Sequence, residues 1–539
     1  MWNLTAVLCL VWAATLLYGE MFAFWVPSFW SCSWPHLRHR SSSPSSSRMS
    51  GQEYPSDYVK VAVLTDPQVM DRTSLHLAPK SLALEIVQFY TDLFMRRATL
   101  ASVLPLQPDV ILFLGDYFDG GPILTDEEWQ ESWNRFKHMF NLNMIGSSST
   151  RVYYLPGNHD IGYAAVCFHM PEVVKRYEKE FGPRNYQFRV GKVDFIAVDA
   201  QTLDGSSQGN LTTATWDFVK NVSRDVNSTP RVLLTHIPLY RPDGSSCGPY
   251  RSSPIINQRV VHSDRNQEIQ YQNYITEQSS NLLLDMVKPV LVLSGHDHDQ
   301  CTVTHMSKNG KVREHTVGTI SWQQGNLHPS FMLLSASNLV VHNLSSSDEA
   351  VKTHLCFLPS QLYIYLWYLS LFVLTLLLLL LWPTNGSRYF DGIIGHIRSL
   401  ITGLFSRVTM KEKNEDEDCE YEMIWDAEGT MHLVKRALKA PTKPSSERSQ
   451  VERGKAVIRP TAKKQTSQEP DGAVSLDVNV PGGLGLGLDA SVKLQSRTHK
   501  SKTRVVIRRL LRAFRSLTVI AAVNVPLYMM LLFKDWIDK

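Results

Sequence analysis

Aspartate, asparagine and histidine residues recur at short, fixed spacings between residues 66 and 298 of the chain. In chain order the groups are Asp66-x-Gln68, Gly115-Asp116-x-x-Asp119, Gly157-Asn158-His159-Asp160, His236 and Gly295-His296-x-His298. Carboxylate, amide and imidazole groups without thiols favour a hard or borderline divalent ion such as manganese, iron or zinc. The residues therefore predict a metal centre, and their types do not choose among these ions.

Enough ligands are present for two ions. Two divalent ions about 3.5 to 4 Å apart repel each other, so they need an anionic bridge, and Asp116 is the predicted bridge. Two ions, the carboxylates of Asp66 and Asp116, and one hydroxide leave a formal charge of roughly +1. Such a pocket suits a phosphodiester monoanion and does not exclude a phosphomonoester dianion. The expected chemistry is therefore phosphoester hydrolysis by in-line attack.

Each group follows an apolar run that is typical of a β-strand. The runs are Val59–Thr65, Asp109–Gly115, Arg151–Gly157, Arg231–Thr235 and Pro289–Gly295. Taken singly, each polar residue has an ordinary explanation as a turn, a helix cap or a structural histidine. Their repeated place at strand ends is what indicates a site, because ligands bind at the carboxyl ends of strands in α/β sheets.

Amphipathic helical patterns separate these strands. They cover Leu82–Val103, Glu127–Phe140, Pro171–Phe181 and Tyr274–Val287. Alternating strands and helices predict an α/β fold. The chain has 539 residues, of which 43% are hydrophobic and 20% charged, so a wholly disordered protein is excluded. Its net charge of +4 does not indicate nucleic-acid binding.

Three apolar runs predict membrane attachment. Residues 362–382 form a nearly uninterrupted apolar run without a charge, long enough to cross a bilayer. Two weaker runs, residues 1–30 and 517–533, are also predicted as spans, the first as a transmembrane helix or signal anchor. A Ser-rich linker, residues 31–57, precedes the folded domain predicted for residues 58–345.

The arginines and lysines near the spans predict the orientation of the chain. They cluster after residue 382 and before residue 517, which makes residues 385–504 cytosolic, and their composition predicts that this segment is largely disordered. The domain is then lumenal, where the sequons at Asn210, Asn221, Asn227 and Asn343 could be glycosylated. Five cysteines on that side allow one or two disulfides of unknown pairing.

The ordered motifs resemble the calcineurin-like metallophosphoesterase superfamily, whose fold is a β-sandwich with flanking helices. The resemblance implies one ion bound by Asp66, Gln68, Asp116 and His298, and a second bound by Asp116, Asn158, His236 and His296. It also implies that His159 contacts the phosphate and protonates the departing alkoxide, and that Asp119 is the acidic partner that orients His159. Gln68 stands where the superfamily usually has a histidine, and an amide oxygen is a weaker ligand.

A narrower resemblance concerns the strings LTDPQVMD, GDYFDGG, LPGNHDIGY, LTHIPLYR and SGHDHDQC. Together with the membrane spans, they are similar to the membrane-bound Cdc1-type branch that remodels GPI anchors. This resemblance implies a phosphodiesterase that removes an ethanolamine-phosphate side branch from a mannose of the GPI glycan. It also implies manganese as the metal, GPI lipid or GPI-anchored proteins as substrates, and an endoplasmic reticulum or Golgi membrane.

Substrate contacts and rival functions complete the expectations. Tyr163, Tyr240 and Arg241 closely follow motif residues and are candidate substrate contacts, although packing explains such residues equally well. A lumenal phosphomonoesterase or nucleotide pyrophosphatase would use the same metals with a different pocket. A metal-binding scaffold without catalysis would keep the fold but has no need for a proton donor such as His159.

Overall fold

A computed structural model describes most of the chain. The described residues are 2–37, 57–75, 77–146, 149–164, 170–205, 210–225, 229–254, 259–262, 269–340, 347–382, 419–425, 431–437 and 502–537. The predicted linker, residues 31–57, and the predicted cytosolic segment, residues 385–504, therefore lie mostly outside this range. The sequons at Asn227 and Asn343 also lie outside it, whereas Asn210 and Asn221 are exposed on one helix.

The first sheet has five strands in the order β13-β12-β1-β2-β3. Their bounds are β1 Tyr58–Leu64, β2 Val110–Phe113, β3 Arg151–Tyr154, β12 Ser330–Ser337 and β13 Val351–Phe357. β1, β2 and β3 are parallel, and β12 and β13 extend the sheet in antiparallel register. The parallel strands place the ends of β1, β2 and β3 at one edge.

The second sheet has six strands in the order β10-β11-β9-β6-β5-β4. Their bounds are β4 Tyr186–Val190, β5 Val193–Ala197, β6 Arg231–Leu234, β9 Leu291–Ser294, β10 Cys301–Ser307 and β11 Gly310–Thr316. β5, β6, β9 and β11 are parallel. A separate hairpin pairs β7 Val260–His262 with β8 Ile269–Gln272.

The two sheets pack face to face, which confirms the predicted sandwich. Alternate residues of β1 point to opposite sides, because side chains in a strand alternate. Val61 and Val63 belong to the core between the sheets, together with Phe195 and Leu293 of the second sheet. Helices cover both outer faces, so the fold has four layers. The helices do not cover the edge at which the parallel strands end.

The helices of the domain lie close to the predicted patterns. Their bounds are α2 Leu82–Arg97, α3 Asp126–Met139, α4 Leu142–Ile145, α5 Asn158–Ile161, α6 Pro171–Phe181, α7 Asn210–Arg224, α8 Glu277–Val287 and α9 Ser347–Ala350. Side-chain caps fix several starts. Thr125 and Glu128 form a capping box at α3, and Ser81 and Thr276 cap α2 and α8.

Three helices are long and apolar enough to cross a membrane. α1 begins at Trp2 and continues through π-helical turns to Ser31, α10 spans Gln361–Leu381, and α11 spans Lys502–Trp536. They pack on one another, with Thr5 donating to Ser516 at 3.1 Å and Trp12 donating to Thr375 at 3.1 Å. α11 begins well before the predicted residue 517, because the arginine-rich segment before its apolar run continues the same helix.

At the other end of the bundle, α2 of the α/β domain connects to all three helices. The buried Arg97 pairs with Glu20 of α1 and, at 3.3 Å, with Asp535 of α11. Tyr368 of α10 donates to the same Glu20 at 2.9 Å. The charges of Glu20 and Asp535 would be unfavourable in lipid, and they are offset by Arg97 together with Lys534, which lies 3.3 Å from Asp535. The three helices and the α/β domain form one compact unit.

The predicted end of the domain at residue 345 is too early. β13 pairs with β12 along its whole length, so the sheet continues to Phe357. Two disulfides, Cys32–Cys356 and Cys247–Cys301, account for four of the five cysteines that were predicted to be lumenal, and the first ties the end of α1 to β13. The second compact unit, residues 382–506, contains a described hairpin of β14 Cys419–Trp425 and β15 Met431–Ala437.

Candidate metal centre

The ends of β1, β2, β3, β6 and β9 bring the predicted ligands together. Donor atoms of Asp116, His236 and His296 lie within 4.8 Å of one another, and so do donor atoms of Asp66, Asp116 and His298. Asp116 belongs to both groups. The geometry therefore matches the expectation of two ions that share one carboxylate.

The backbone at these residues is strained. Among the described residues, nine other than glycine have a positive φ, and five of them are predicted ligands. These five are Asp66 at 49°, Gln68 at 41°, Asp116 at 56°, His296 at 68° and His298 at 58°. Residues other than glycine adopt this region uncommonly, although asparagine, aspartate and histidine do so more often than the rest, and such strain gathers at functional sites. The surrounding loops hold the donors in this conformation.

Glycines permit the close approach of the loops, as their positions in the motifs suggest. A Cβ at Gly157 would lie 2.0 Å from Oδ1 of Asp116, and Gly115 has a φ of +100°. Any other residue at Gly157 would displace the bridging carboxylate. The loops after β2 and β3 thus touch through main-chain atoms, which brings Asn158 beside Asp116.

The imidazoles of the centre are oriented by main-chain carbonyls. His236 Nδ1 lies 2.7 Å from the oxygen of Leu114, and His296 Nε2 lies 3.0 Å from the oxygen of Gln272. The remaining nitrogen of His236 is 3.1 Å from Asn158 Oδ1 and 3.2 Å from Asp116 Oδ2. A carbonyl partner fixes the tautomer and leaves the other nitrogen as the ligand.

Gln68 occupies the position where the superfamily has a histidine. Its amide nitrogen lies 3.1 Å from Asp116 Oδ2 and 3.0 Å from His298 Nε2. The amide therefore stands among the donor atoms of the first predicted ion. Turning the amide group by 180° would present its oxygen at the same place, so Gln68 fits as a neutral ligand.

The charges of the donor set fit bound cations. Asp66 and Asp116 are completely buried. Burial raises the pKa of Asp66, and the neighbouring Asp116 raises it further. Burial and the nearby His236 lower the pKa of His296 to about 3. Burial lowers the pKa of His236, but Asp116 raises it more, to about 9, so an ion bound there would displace a proton from His236 and would offset the cost of burying the two carboxylates.

His159 lies beside the centre in an orientation suited to proton donation. Its main-chain N–H donates to Asp116 Oδ1 at 2.8 Å, and its side chain is 36% exposed. Burial lowers the pKa of His159, but the charge of Asp116 and the hydrogen bond to the main chain of Asp119 raise it more, and the net shift is upward. His159 is therefore stabilised in its protonated form.

The predicted role of the Asp119 side chain needs correction. His159 Nδ1 lies 2.5 Å from the main-chain oxygen of Asp119, whereas the nearest carboxylate oxygen is 3.8 Å away. The imidazole is thus oriented by a carbonyl, as in His236 and His296. The turn after β2 brings this carbonyl to His159, and such a contact depends on backbone geometry that residue type does not reveal.

Asp160 ends the motif Gly157-Asn158-His159-Asp160, and the motif alone predicts no role for it. Its carboxylate accepts hydrogen bonds of 2.8 Å each from the main-chain N–H groups of Asp116, Tyr117 and Gly157. Burial and the charge of Asp116 raise the pKa of Asp160 to about 7. Asp160 therefore ties the loop of the bridging ligand to the loop of Asn158. Its place directly after Asn158 and His159 was the available signal.

The three candidate substrate contacts have different surroundings. Tyr163 is 7% exposed and its ring lies 6.4 Å from that of His296, so it packs against the centre. Tyr240 is half-buried, and its main-chain N–H donates to Ser280. Arg241 is 3% exposed and pairs with Asp297 and Glu314. The expectation for Arg241 is wrong, because internal carboxylates engage its guanidinium.

Arg241 belongs to a second buried group of charges, named here the arginine cluster. Its members are Arg241, Arg251, Asp297, His305 and Glu314. Both guanidinium nitrogens of Arg251 lie 2.8 Å from the carboxylate of Asp297. Asp297 stands between His296 and His298, so this pair anchors the loop that carries two ligands. Neither the type nor the position of Arg251 and Asp297 in the sequence predicts this role.

The metal centre lies close to the membrane helices. The side chain of Gln323 donates to the main-chain oxygen of Gln68 at 3.4 Å. The preceding residue, Trp322, makes an edge contact with Tyr365 of α10, with ring centroids 5.8 Å apart. Tyrosine and tryptophan are typical of the membrane interface. Gln323 and Trp322 thus connect the first ion site directly to the membrane boundary.

Comparison with known proteins agrees with this geometry. Residues 59–300 match the calcineurin-like phosphoesterase family. The chain is 30% identical over 327 residues to cell division control protein 1 of Saccharomyces cerevisiae, covering 57% of this chain and 63% of the yeast protein. It is 28% identical over 367 residues to metallophosphoesterase 1 of Macaca fascicularis, covering 65% of this chain and 82% of that protein.

Among solved structures, a purple acid phosphatase from yellow lupin matches with 13% identity and a TM-score of 0.33, covering 56% of this chain and 54% of that one. The family assignment rests on the matched residues and on the two donor groups that share Asp116. Residues 59–300 include every predicted ligand. This part of the chain is therefore a metallophosphoesterase domain of the calcineurin-like family, the class of metal-dependent phosphoric ester hydrolases.

Proposed function

We propose that the protein is a membrane-bound phosphodiesterase that removes an ethanolamine-phosphate side branch from a mannose of GPI anchors, in the endoplasmic reticulum or Golgi with its catalytic domain in the lumen. The observation that carries the proposal is a two-ion donor set whose edge reaches a membrane helix through Gln323, Trp322 and Tyr365. A phosphodiester carried on a lipid in the same bilayer would meet this edge at high effective concentration.

The residues divide the reaction between them. Two divalent ions, proposed to be manganese, would withdraw charge from the phosphoryl oxygens and supply a hydroxide nucleophile near neutral pH. Asp116 and Asp66 supply the negative charge that holds ions in the pocket. The raised pKa of His159 and its hydrogen bond to the main chain of Asp119 keep a proton on the imidazole. His159 donates that proton to the departing alkoxide.

The decisive experiment compares GPI glycans by mass spectrometry in cells that lack the protein and in the same cells with the wild type or Asp116→Ala restored. We expect the ethanolamine-phosphate branch to persist without the protein and with Asp116→Ala, and to disappear with the wild type. Identical glycans in all three cell lines would contradict the substrate assignment.

Hydrolysis by the purified protein separates the remaining alternatives. With manganese, a phosphodiesterase cleaves bis(p-nitrophenyl) phosphate faster than p-nitrophenyl phosphate, and it does not favour a nucleotide pyrophosphate. The reverse preference would identify a lumenal phosphomonoesterase or nucleotide pyrophosphatase. A protein that binds manganese and cleaves none of these compounds would be a scaffold.

A further inference from the structure

A hairpin that belongs to neither large sheet lies beside the metal centre. Its strands, β7 and β8, form a separate two-stranded sheet and stand in the chain between β6 and β9, the strands that lead to His236 and to His296. The main-chain oxygen of Gln272 in β8 lies 3.0 Å from His296 Nε2. The hairpin is therefore fixed against a predicted ligand of the second ion.

Tyr271, the residue before Gln272, brings an aromatic ring to the same ligand. The centroid of its ring lies 6.5 Å from that of His296 and 5.8 Å from that of Tyr163. Tyr163 is 7% exposed, whereas Tyr271 is 38% exposed. Tyr163 thus supports the ring from the interior, and Tyr271 presents a surface that a molecule bound at the two ions could reach.

A guanidinium group lies at the same surface. The Cζ atom of Arg259 is 5.7 Å from the centroid of the Tyr271 ring, the distance of a cation–π contact, and the side chain of Arg259 is exposed. The main-chain oxygen of Arg259 accepts a hydrogen bond of 3.1 Å from the N–H of Asn273. The backbone that carries Arg259 is therefore tied to the end of β8, close to Tyr271.

The chemistry of the Tyr271–Arg259 pair distinguishes the two ends of the proposed substrate. The ethanolamine end carries an ammonium group, which the positive charge of Arg259 would repel. A sugar ring is neutral. Its hydroxyls accept hydrogen bonds from a guanidinium and from a phenol, and its C–H face packs against aromatic carbon. The sugar end is therefore the group that fits beside Tyr271.

We propose that the Tyr271–Arg259 pair binds the sugar that carries the phosphodiester and so determines specificity for sugar-linked diesters. Tyr271 contacts the sugar ring and one hydroxyl, and Arg259 donates to further hydroxyls. The identity of the sugar as mannose rests on the proposed function, whereas the contact of a sugar with this pair is tested separately below. Neither residue is a predicted metal ligand, so their loss should weaken sugar binding and leave the metal centre intact.

The test uses the full-length protein with manganese and two soluble diesters of ethanolamine phosphate, one with methyl mannoside and one with ethanol. We expect the wild type to cleave the mannoside diester with at least about tenfold higher kcat/KM than the ethyl diester. Tyr271→Ala should remove this preference through a higher KM, while cleavage of the ethyl diester and the metal content stay unchanged. Tyr271→Phe keeps the ring and should retain most of the preference. An equal preference in Tyr271→Ala and the wild type would overturn the proposal.

Two residues outside the hairpin supply matched controls. Tyr250 is 58% exposed, and its ring contacts Phe357 of β13. Arg313 is exposed and lies in register with the first residue of β9, at the end of that strand away from the metal centre. Tyr250→Ala and Arg313→Gln should keep the wild-type preference, whereas Arg259→Gln should lower it by about three- to tenfold.

A second measurement separates the sugar contact from the substrate assignment. Methyl mannoside alone should inhibit cleavage of bis(p-nitrophenyl) phosphate, and its inhibition constant should rise several-fold in Tyr271→Ala. Such a rise, without any cleavage of the mannoside diester by the wild type, would support the sugar contact and contradict the proposed function. An unchanged inhibition constant in Tyr271→Ala would overturn the sugar contact, and cleavage of the mannoside diester by the same variant would leave the proposed function in place.

Discussion

His296, Asp297 and His298 are consecutive, yet their side chains serve two buried groups of opposite character. The histidines face the metal centre, where Asp66 and Asp116 have no arginine or lysine partner among the described residues. Asp297 faces the arginine cluster, where each carboxylate pairs with a guanidinium. In the arginine cluster, arginines of the chain neutralise the carboxylates. In the metal centre, the carboxylates are suited to bound cations.

The electrostatics of the two groups differ accordingly. In the arginine cluster, burial would raise the pKa of Glu314, but Arg241 and hydrogen bonds from His305 and Ser294 lower it to about 2. In the metal centre, burial raises the pKa of Asp66. Main-chain carbonyls hold His159, His236 and His296 there, which leaves side-chain charge for a ligand. The loop of His296, Asp297 and His298 therefore contributes to the arginine cluster on one side and to the candidate metal centre on the other.

Asp116→Ala should have the largest effect of any single change in the metal centre. It removes the carboxylate common to both donor groups, so we expect both ions to be lost and diester hydrolysis to fall by more than about 10⁴-fold. Metal analysis and the rate with bis(p-nitrophenyl) phosphate test this. Full activity with two bound ions would show that Asp116 is not the bridge.

His159→Ala should lower turnover by about 10² to 10⁴-fold while the metal content stays unchanged, because the change removes a proton donor and leaves the ligands in place. His262→Ala, at an exposed histidine of β7, is the matched control and should keep full activity. A loss of metal in His159→Ala would instead make His159 part of the metal centre proper.

The sequence was sufficient to predict which side chains come together, because the chemistry of a candidate ligand is carried by residue type and by place in the chain. Each of Asp66, Asp116, Asn158, His236 and His296 follows an apolar strand, and parallel strands that end at one edge must bring such residues together. The sandwich and its main helices follow from the same alternation of patterns.

The supporting contacts could not be predicted in this way. The carbonyl of Asp119 exists in any residue, so no residue type points to its contact with His159. Arg251 and Asp297 are 46 residues apart and meet only after the loop before β7 folds back. Arg241 stands next to a motif and suggested a substrate contact, but its carboxylate partners come from β11 and the loop after β9. In each case the partner is distant in the sequence, so the contact exists only in the folded chain.

Arg251→Gln tests whether the arginine cluster supports the metal centre. Without Arg251, Asp297 keeps only the longer contact of 3.6 Å with Arg241, and its less compensated buried charge loosens the loop of His296 and His298. We expect manganese affinity to fall by about 10 to 100-fold, as for other residues that support ligands. Isothermal titration of the metal-free protein measures the affinity.

Arg189→Gln is the control for this change. Arg189 also donates two hydrogen bonds to an aspartate, Asp194, at 2.7 and 3.1 Å. Its side chain is 54% exposed and does not contact the predicted ligands. Exposed pairs contribute little, so affinity should be unchanged. If Arg189→Gln and Arg251→Gln weaken metal binding equally, the support by the arginine cluster is not specific.

Asp66→Asn should make the protein more stable than the wild type without metal and less stable than the wild type with metal. Without metal, the variant no longer buries a carboxylate that lacks an arginine or lysine partner among the described residues, and we expect it to be more stable than the wild type by about 1 to 2 kcal/mol. With manganese at 100 times its Kd, the wild type gains about 2.7 kcal/mol and becomes the more stable protein. Thermal unfolding in a chelator and in manganese measures both orders.

The matched change in the arginine cluster is Glu314→Gln. It removes the charge of a carboxylate that is paired with Arg241 and His305. It should destabilise the protein equally with and without metal. If Asp66→Asn gives the same stability order in both conditions, the two groups do not differ in the way their charges are completed.

The smallest effect is expected for Asp119→Ala, at less than about tenfold in turnover. The substitution keeps the main-chain carbonyl that lies 2.5 Å from His159 Nδ1 and removes a carboxylate that lies 3.8 Å away. At that distance the carboxylate adds charge but no hydrogen bond, so the imidazole keeps its orientation. Turnover as low as in His159→Ala would mean that the side chain of Asp119 orients the imidazole. The histidines of the centre would then depend on side-chain charge, as the residues of the arginine cluster do.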